Sequence, residues 1–217
     1  MNKSNKLVLT RRCGKLAGIG LALILSGASL NTGCTSSLIS YEQEISLSEQ
    51  VKSKPYLALL EGLQPFSGFK MKEVGEQISR DTGVAACATS GNCLEHMKVI
   101  RKAWKNNQKI YAAGFSMGEN EARVLAEQCE REGIGIEVLF LIDGTSVGTI
   151  HGIDGKVVDI RGYDPPYAFR REERYTEKNL ENKSTIIKYY DVPGEHLDIP
   201  RNSREIIEFE ILESLNR

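Results

Sequence analysis

Three residues far apart in the chain have the types needed to relay a proton to and from a nucleophile. Ser116 stands in the stretch Gly114-Phe115-Ser116-Met117-Gly118, held between two glycines. A serine hydroxyl is a weak nucleophile unless a base takes its proton, so a histidine must lie beside it. The chain offers His96, His151 and His196. The imidazole in turn needs a carboxylate to fix its tautomer and stabilise its charged form, and Asp143 at the end of "VLFLID" has the type and position for that role.

What must position these groups is a strand, a tight turn and a helix in immediate succession. "KIYAAG" before Ser116 reads as a buried strand. In "ENEARVLAEQC" after it, Ala122, Leu125, Ala126 and Cys129 recur at helical spacing. The glycines give the turn room where side chains would collide with neighbouring backbone. The helix N-terminus beneath Ser116 favours negative charge.

The rest of the chain alternates in the same way. "PYLALLEGL", "GVAACATS", "IEVLFLIDG" and "STIIKYYDVPG" read as further strands. "FKMKEVGEQISRD", "LEHMKVIRKAWKN" (with Met97, Ile100, Ala103 and Trp104 on one face) and "NSREIIEFEILESL" read as helices. Such alternation predicts an α/β three-layer sandwich: a mostly parallel five-stranded sheet with helices on both faces, over residues 55–217. Its chemistry belongs at the carboxyl ends of the strands. Asp143 ends the fourth strand, and His196 follows the last strand directly in "DVPGEHLDIP". His151 lies in a glycine-rich loop. Asp164 lies in a long insertion, and Asp191 and Asp198 are close to His196 in sequence. The oxyanion is expected to meet the amide of Met117 and that of Leu63 or Gln64, in the loop after the first strand.

The order of the serine turn, "LFLID" and "VPGEH" before a final helix resembles the thioesterase- and lipase-like branch of the α/β-hydrolase superfamily, over about Tyr56 to Leu215. There the order is serine, acid, histidine, which sets His96 aside because it precedes the serine. The resemblance implies a serine hydrolase acting on an ester or thioester, with an acyl-ester or lipid-like substrate and no cofactor. Glu61 and Glu119 are carboxylates near the expected oxyanion, where negative charge opposes catalysis. The competing expectation is therefore an inactive chain that keeps the fold as a binding or envelope component.

The first 33 residues read as an export signal. Lys3, Lys6, Arg11, Arg12 and Lys15 precede the apolar run Leu16 to Leu30, which is short for a membrane span. "SLNTGCTSS" resembles a bacterial lipoprotein signal in which Cys34 would carry lipid, giving a periplasmic or outer-membrane-anchored protein. Residues 34–54 read as a tether. Cys87 and Cys93, in "CATSGNC", are spaced to close a small disulfide loop in an oxidising compartment. No histidine pair accompanies them, so no metal site is expected. A net charge of −1 with no basic stripe argues against nucleic acid. The insertion at 144–184 is expected to lack regular structure. Its Tyr163, Pro165, Pro166, Tyr167 and Phe169 are candidates for a lid over the serine.

Overall fold

Two sets of apolar side chains alternate along the same strands, and each set buries under a different layer of helices. In strand β1 (Tyr56–Glu61) Tyr56, Ala58 and Leu60 face one side, while Leu57 and Leu59 face the other. The computed structural model describes residues 39–62, 68–90, 92–144, 147–162 and 174–217.

The sheet has six parallel strands in the order β2-β1-β3-β4-β5-β6, with β2 at Ala85–Ser90, β3 at Ile110–Phe115, β4 at Ile136–Ile142, β5 at Ile153–Gly162 and β6 at Ile186–Val192. On one face lie α1 (Tyr41–Gln50), α3 (Met97–Lys105) and α4 (Gly118–Arg131). On the other lie α2 (Gly68–Thr82), the short α5 (Ile199–Asn202) and α6 (Arg204–Leu215). The chain leaves β1 for β2 on one side and returns to β3 on the other. The strand order therefore reverses between β1 and β3, where such sheets open a crevice.

The three-layer α/β class is as the sequence predicts, but the sheet has six strands, not five. The additional strand, β5, lies in the segment expected to be irregular. It is buried from Lys156 to Gly162, yet carries Lys156, Asp159 and Arg161. Those charges break the continuous apolar run by which central parallel strands are recognised. Each is paired inside the protein. Lys156 forms ion pairs with Glu210 and, at 2.7 Å, with Glu213, both on α6. Lys188 of β6 joins them, 3.0 Å from Glu210. Arg161 meets Asp159 at 2.7 Å.

Residues read as a tether include α1, opened by a capping box. The Gln43 amide donates to Ser40 Oγ at 3.2 Å, and the Ser40 amide donates to Gln43 Oε1 at 3.0 Å. Ile39, Leu47 and Val51 bury in the core beside α3. Three apolar residues spread over a polar stretch gave too weak a period to declare this helix. On α3, Met97, Ile100 and Ala103 are buried as expected, but Trp104 is 44% exposed.

His96 is fully buried, with Tyr56 Oη 2.7 Å from Nδ1 and Thr89 Oγ1 2.8 Å from Nε2. Burial disfavours its charged form and pulls its pKa from the ordinary 6.5 down to about 3. As pH falls, the unfolded chain therefore takes up this proton before the folded one does. The resulting stability is complete above about pH 6.5 and is lost progressively toward pH 3. The slope contributed is at most about 1.4 kcal/mol per pH unit. Urea midpoints are expected to fall between pH 7 and pH 4, and to fall less steeply in His96→Gln. Parallel curves for the two proteins would contradict this.

Candidate active site

Strand β3 delivers Ser116 and β4 delivers Asp143, so the two sit on adjacent strand ends. The Ser116 amide still donates to Ile142 O at 2.9 Å, and the Asp143 amide to Ile160 O at 2.9 Å. Each residue then leaves the sheet with a left-handed backbone, φ 56° at Ser116 and φ 45° at Asp143. That conformation turns the side chain out at the sheet edge and is uncommon outside glycine. From Ser116 the chain enters α4, with the Glu119 amide donating to Ser116 O at 3.2 Å and the Asn120 amide to Met117 O at 3.1 Å.

His196 follows β6 in the loop before α5. Its Nε2 lies 2.9 Å from Ser116 Oγ, and its Nδ1 lies 2.6 Å from Asp143 Oδ2. An ionised carboxylate only accepts, so the Nδ1 proton is donated to Asp143. That leaves the Nε2 lone pair toward the serine hydroxyl, the tautomer a general base needs. Asp143 is 4% exposed, and its Oδ1 accepts from the Gly162 amide at 3.3 Å. The Phe115 ring lies against the imidazole with centroids 4.8 Å apart.

The Met117 amide nitrogen lies beside Gly62, the residue after β1. A Cβ built on Gly62 would stand 3.3 Å from Met117 N and 3.1 Å from Ser116 Cβ. A side chain at this position would press the neighbouring backbone away by a few tenths of an ångström. Leu63 and Gln64, the expected second oxyanion donors, lie outside the described residues, as do Cys34, Asp164 and the lid candidates Tyr163, Pro165, Pro166, Tyr167 and Phe169.

Glu119 does not turn toward the serine. Its carboxylate is buried and accepts from the Gly144 amide at 2.9 Å and from Tyr175 Oη at 2.8 Å, with Arg161 3.5 Å away. The other candidates go elsewhere. His151 bonds Glu181, Asp191 pairs with Arg174, and Asp198 pairs with Lys70 at 2.8 Å.

Cys87 and Cys93 are separate thiols, not the expected disulfide. Cys87 lies mid-strand in β2, which runs on extended through Ser90 before the chain turns at Asn92. Three extended residues carry the chain roughly 10 Å along the strand before the short helical turn that holds Cys93 begins. Burial raises both thiols, Cys87 to about 11 and Cys93 to about 12, which keeps them protonated and unreactive at neutral pH.

Sequence reasoning missed three features here: the Gly162 amide on Asp143, the Phe115 ring against His196, and the direction of Glu119. The first two follow from β5 and from facing side chains that no local pattern encodes.

The architecture is that of the α/β-hydrolase fold, and solved structures share it. The type II thioesterase BorB from the borrelidin biosynthetic cluster superposes with a TM-score of 0.54 at 16% identity, covering 76% of this chain and 92% of its own. SOBER1 of Arabidopsis thaliana gives 0.54 at 13% identity over 74% of this chain and 99% of its own. Human thioesterase 2 gives 0.51 at 12% identity over 74% and 97%. No protein-family model and no curated protein matches the chain at the level of sequence.

Proposed function

We propose that the protein is a serine hydrolase that cleaves a carboxylic ester, or a thioester, through Ser116, His196 and Asp143. The observation that carries this reading is the unbroken relay from Ser116 Oγ to His196 Nε2 and from His196 Nδ1 to Asp143 Oδ2, at 2.9 and 2.6 Å. Its placement on adjacent strand ends supports the reading, as does the presence of esterases and thioesterases among proteins of the same fold.

In this mechanism Ser116 Oγ attacks the acyl carbon as its proton passes to His196 Nε2. Negative charge then builds on the former carbonyl oxygen, to which the Met117 amide would donate. The imidazolium, held by Asp143, gives its proton to the departing alcohol or thiol, leaving an acyl-serine. Water then attacks the acyl-serine with His196 as base, and the acid leaves. The orientation of Glu119 toward Gly144 and Tyr175 removes one of the two objections to turnover raised by the sequence. The basic and apolar N-terminal segment supports an exported enzyme, for which carboxylic or lipid esters are better candidates than free acyl-thioesters.

The test is a fluorophosphonate probe applied to the purified mature protein, followed by peptide mass spectrometry. We expect one adduct, on the peptide carrying Ser116, and release of acid from short-chain nitrophenyl esters. A folded protein that takes no label and cleaves no ester or thioester would be the inactive binding component instead.

A further inference from the structure

We infer that Glu119, with Arg161, is a positioning residue that holds the catalytic carboxylate in place from behind, an inference that rests on the assignment of Asp143 above. Glu119 is 1% exposed and lies only three residues after Ser116. A carboxylate buried this deeply is costly unless it is paired and hydrogen-bonded, so its partners show what it holds. Its Oε2 accepts from the amide of Gly144, the residue after Asp143, at 2.9 Å. Arg161 Nη1 donates to the carbonyl of the same Gly144 at 3.2 Å. Both polar groups of Gly144 are therefore gripped by buried, oppositely charged side chains, which face one another at 3.5 Å.

The grip falls where the backbone most needs it. Asp143 has φ 45°, and a left-handed non-glycine residue persists only when its surroundings over-determine it. Gly144 is shaped to this contact, since a Cβ there would stand 2.5 Å from Glu119 Oε1. Behind it, Asp159 meets Arg161 at 2.7 Å and accepts from the Tyr175 amide at 3.2 Å, while Tyr175 Oη reaches Glu119. One buried cluster thus ties together the helix that begins at the nucleophile, the loop that carries the acid, the end of β5 and the return of the insertion. Arg161 also precedes Gly162, whose amide is bonded to Asp143 Oδ1. The Glu119 side chain bonds Gly144 and Tyr175, and that of Arg161 bonds Gly144 and pairs with Asp159. They act through Asp143, by fixing the direction from which its carboxylate meets Nδ1.

The test reads the Asp143–His196 bond directly, without substrate. The Nδ1 proton donated to a carboxylate gives a strongly downfield proton resonance, assigned by its loss in Asp143→Asn. We expect Glu119→Gln, nearly isosteric, to shift this resonance upfield or broaden it while cooperative thermal unfolding is kept. Arg161→Lys keeps the charge facing Glu119 but withdraws the Nη1 donor from Gly144, and is expected to do the same. It decides the matter should Glu119→Gln not fold. Glu127→Gln, on the solvent side of the same helix, is expected to leave the resonance in place. Where esters are turned over, kcat should fall about tenfold in the first two variants with KM little changed. An unmoved resonance in a folded variant, or no such resonance in the wild type, would overturn the inference. A wild type that shows the resonance but cleaves nothing would overturn the proposed activity alone.

Discussion

Ser116→Ala is expected to reduce turnover of any ester the wild type cleaves by about 10⁴-fold or more, and to abolish fluorophosphonate labelling. The variant should fold, because it removes a single oxygen whose hydrogen bond to His196 is part-buried. His196→Ala is expected to lose nearly as much, since a serine hydroxyl 2.9 Å from no base returns to its unactivated state. The double variant should be no worse than either single one, because the two residues act as one unit. Initial rates on a nitrophenyl ester, with binding followed separately, decide this. Independent, multiplying losses would mean that Ser116 and His196 do not share a proton. Retained labelling in Ser116→Ala would place the nucleophile elsewhere.

The second large effect is on stability. A Cβ at Gly118 would stand 2.6 Å from the carbonyl carbon of Leu60 and 2.8 Å from that of Glu61. Both atoms belong to β1, which pairs with β2 on one side and β3 on the other and cannot move without breaking both ladders. Gly118→Ala is therefore expected to destabilise by more than about 3 kcal/mol, at the upper end of what overpacking costs. Gly133→Ala is the natural comparison. Gly133 has φ 68° but nothing within 4 Å of its would-be Cβ, so only backbone strain is added. That costs about 1 to 2 kcal/mol. Urea unfolding of the two variants separates collision from conformation. Equal losses would show that β1 yields to the intruding methyl group.

The elements legible in the sequence were those with one dominant pattern. Strands β1, β3 and β4 are almost wholly apolar, and the buried stripe of α4, Ala122, Leu125, Ala126 and Cys129, repeats at helical spacing. Once the strands were placed, Ser116 and Asp143 fell at the ends of β3 and β4, and His196 after β6, by chain order alone. The misses share a different physical origin. Strand β5 carries charges that pair with α6, with α4 and with one another, so its burial is invisible until those helices are docked. Helix α1 is mostly polar, and of its apolar residues Leu47 is buried while Ile45 is exposed. Glu119 reads locally as a carboxylate complementing a helix N-terminus. Its actual direction depends on Gly144 and Tyr175, 25 and 56 residues away. Cys87 and Cys93 are close in sequence, but one lies in a strand and the other in the helical turn after it, which spacing alone does not register.

The left-handed backbone at Ser116 also bears on how such a chain would evolve. At φ 56° a glycine is free of the strain a serine carries, roughly 1 to 2 kcal/mol. Selection for stability alone would therefore favour glycine at this position, and under the proposed activity selection for turnover would hold serine there against that pull. If the turnover ceased to matter to the organism, Ser116 would be among the first residues to drift, and the drift would leave a sturdier protein. A serine where the backbone prefers glycine is thus what the proposed activity would ask of this position, at the expense of stability.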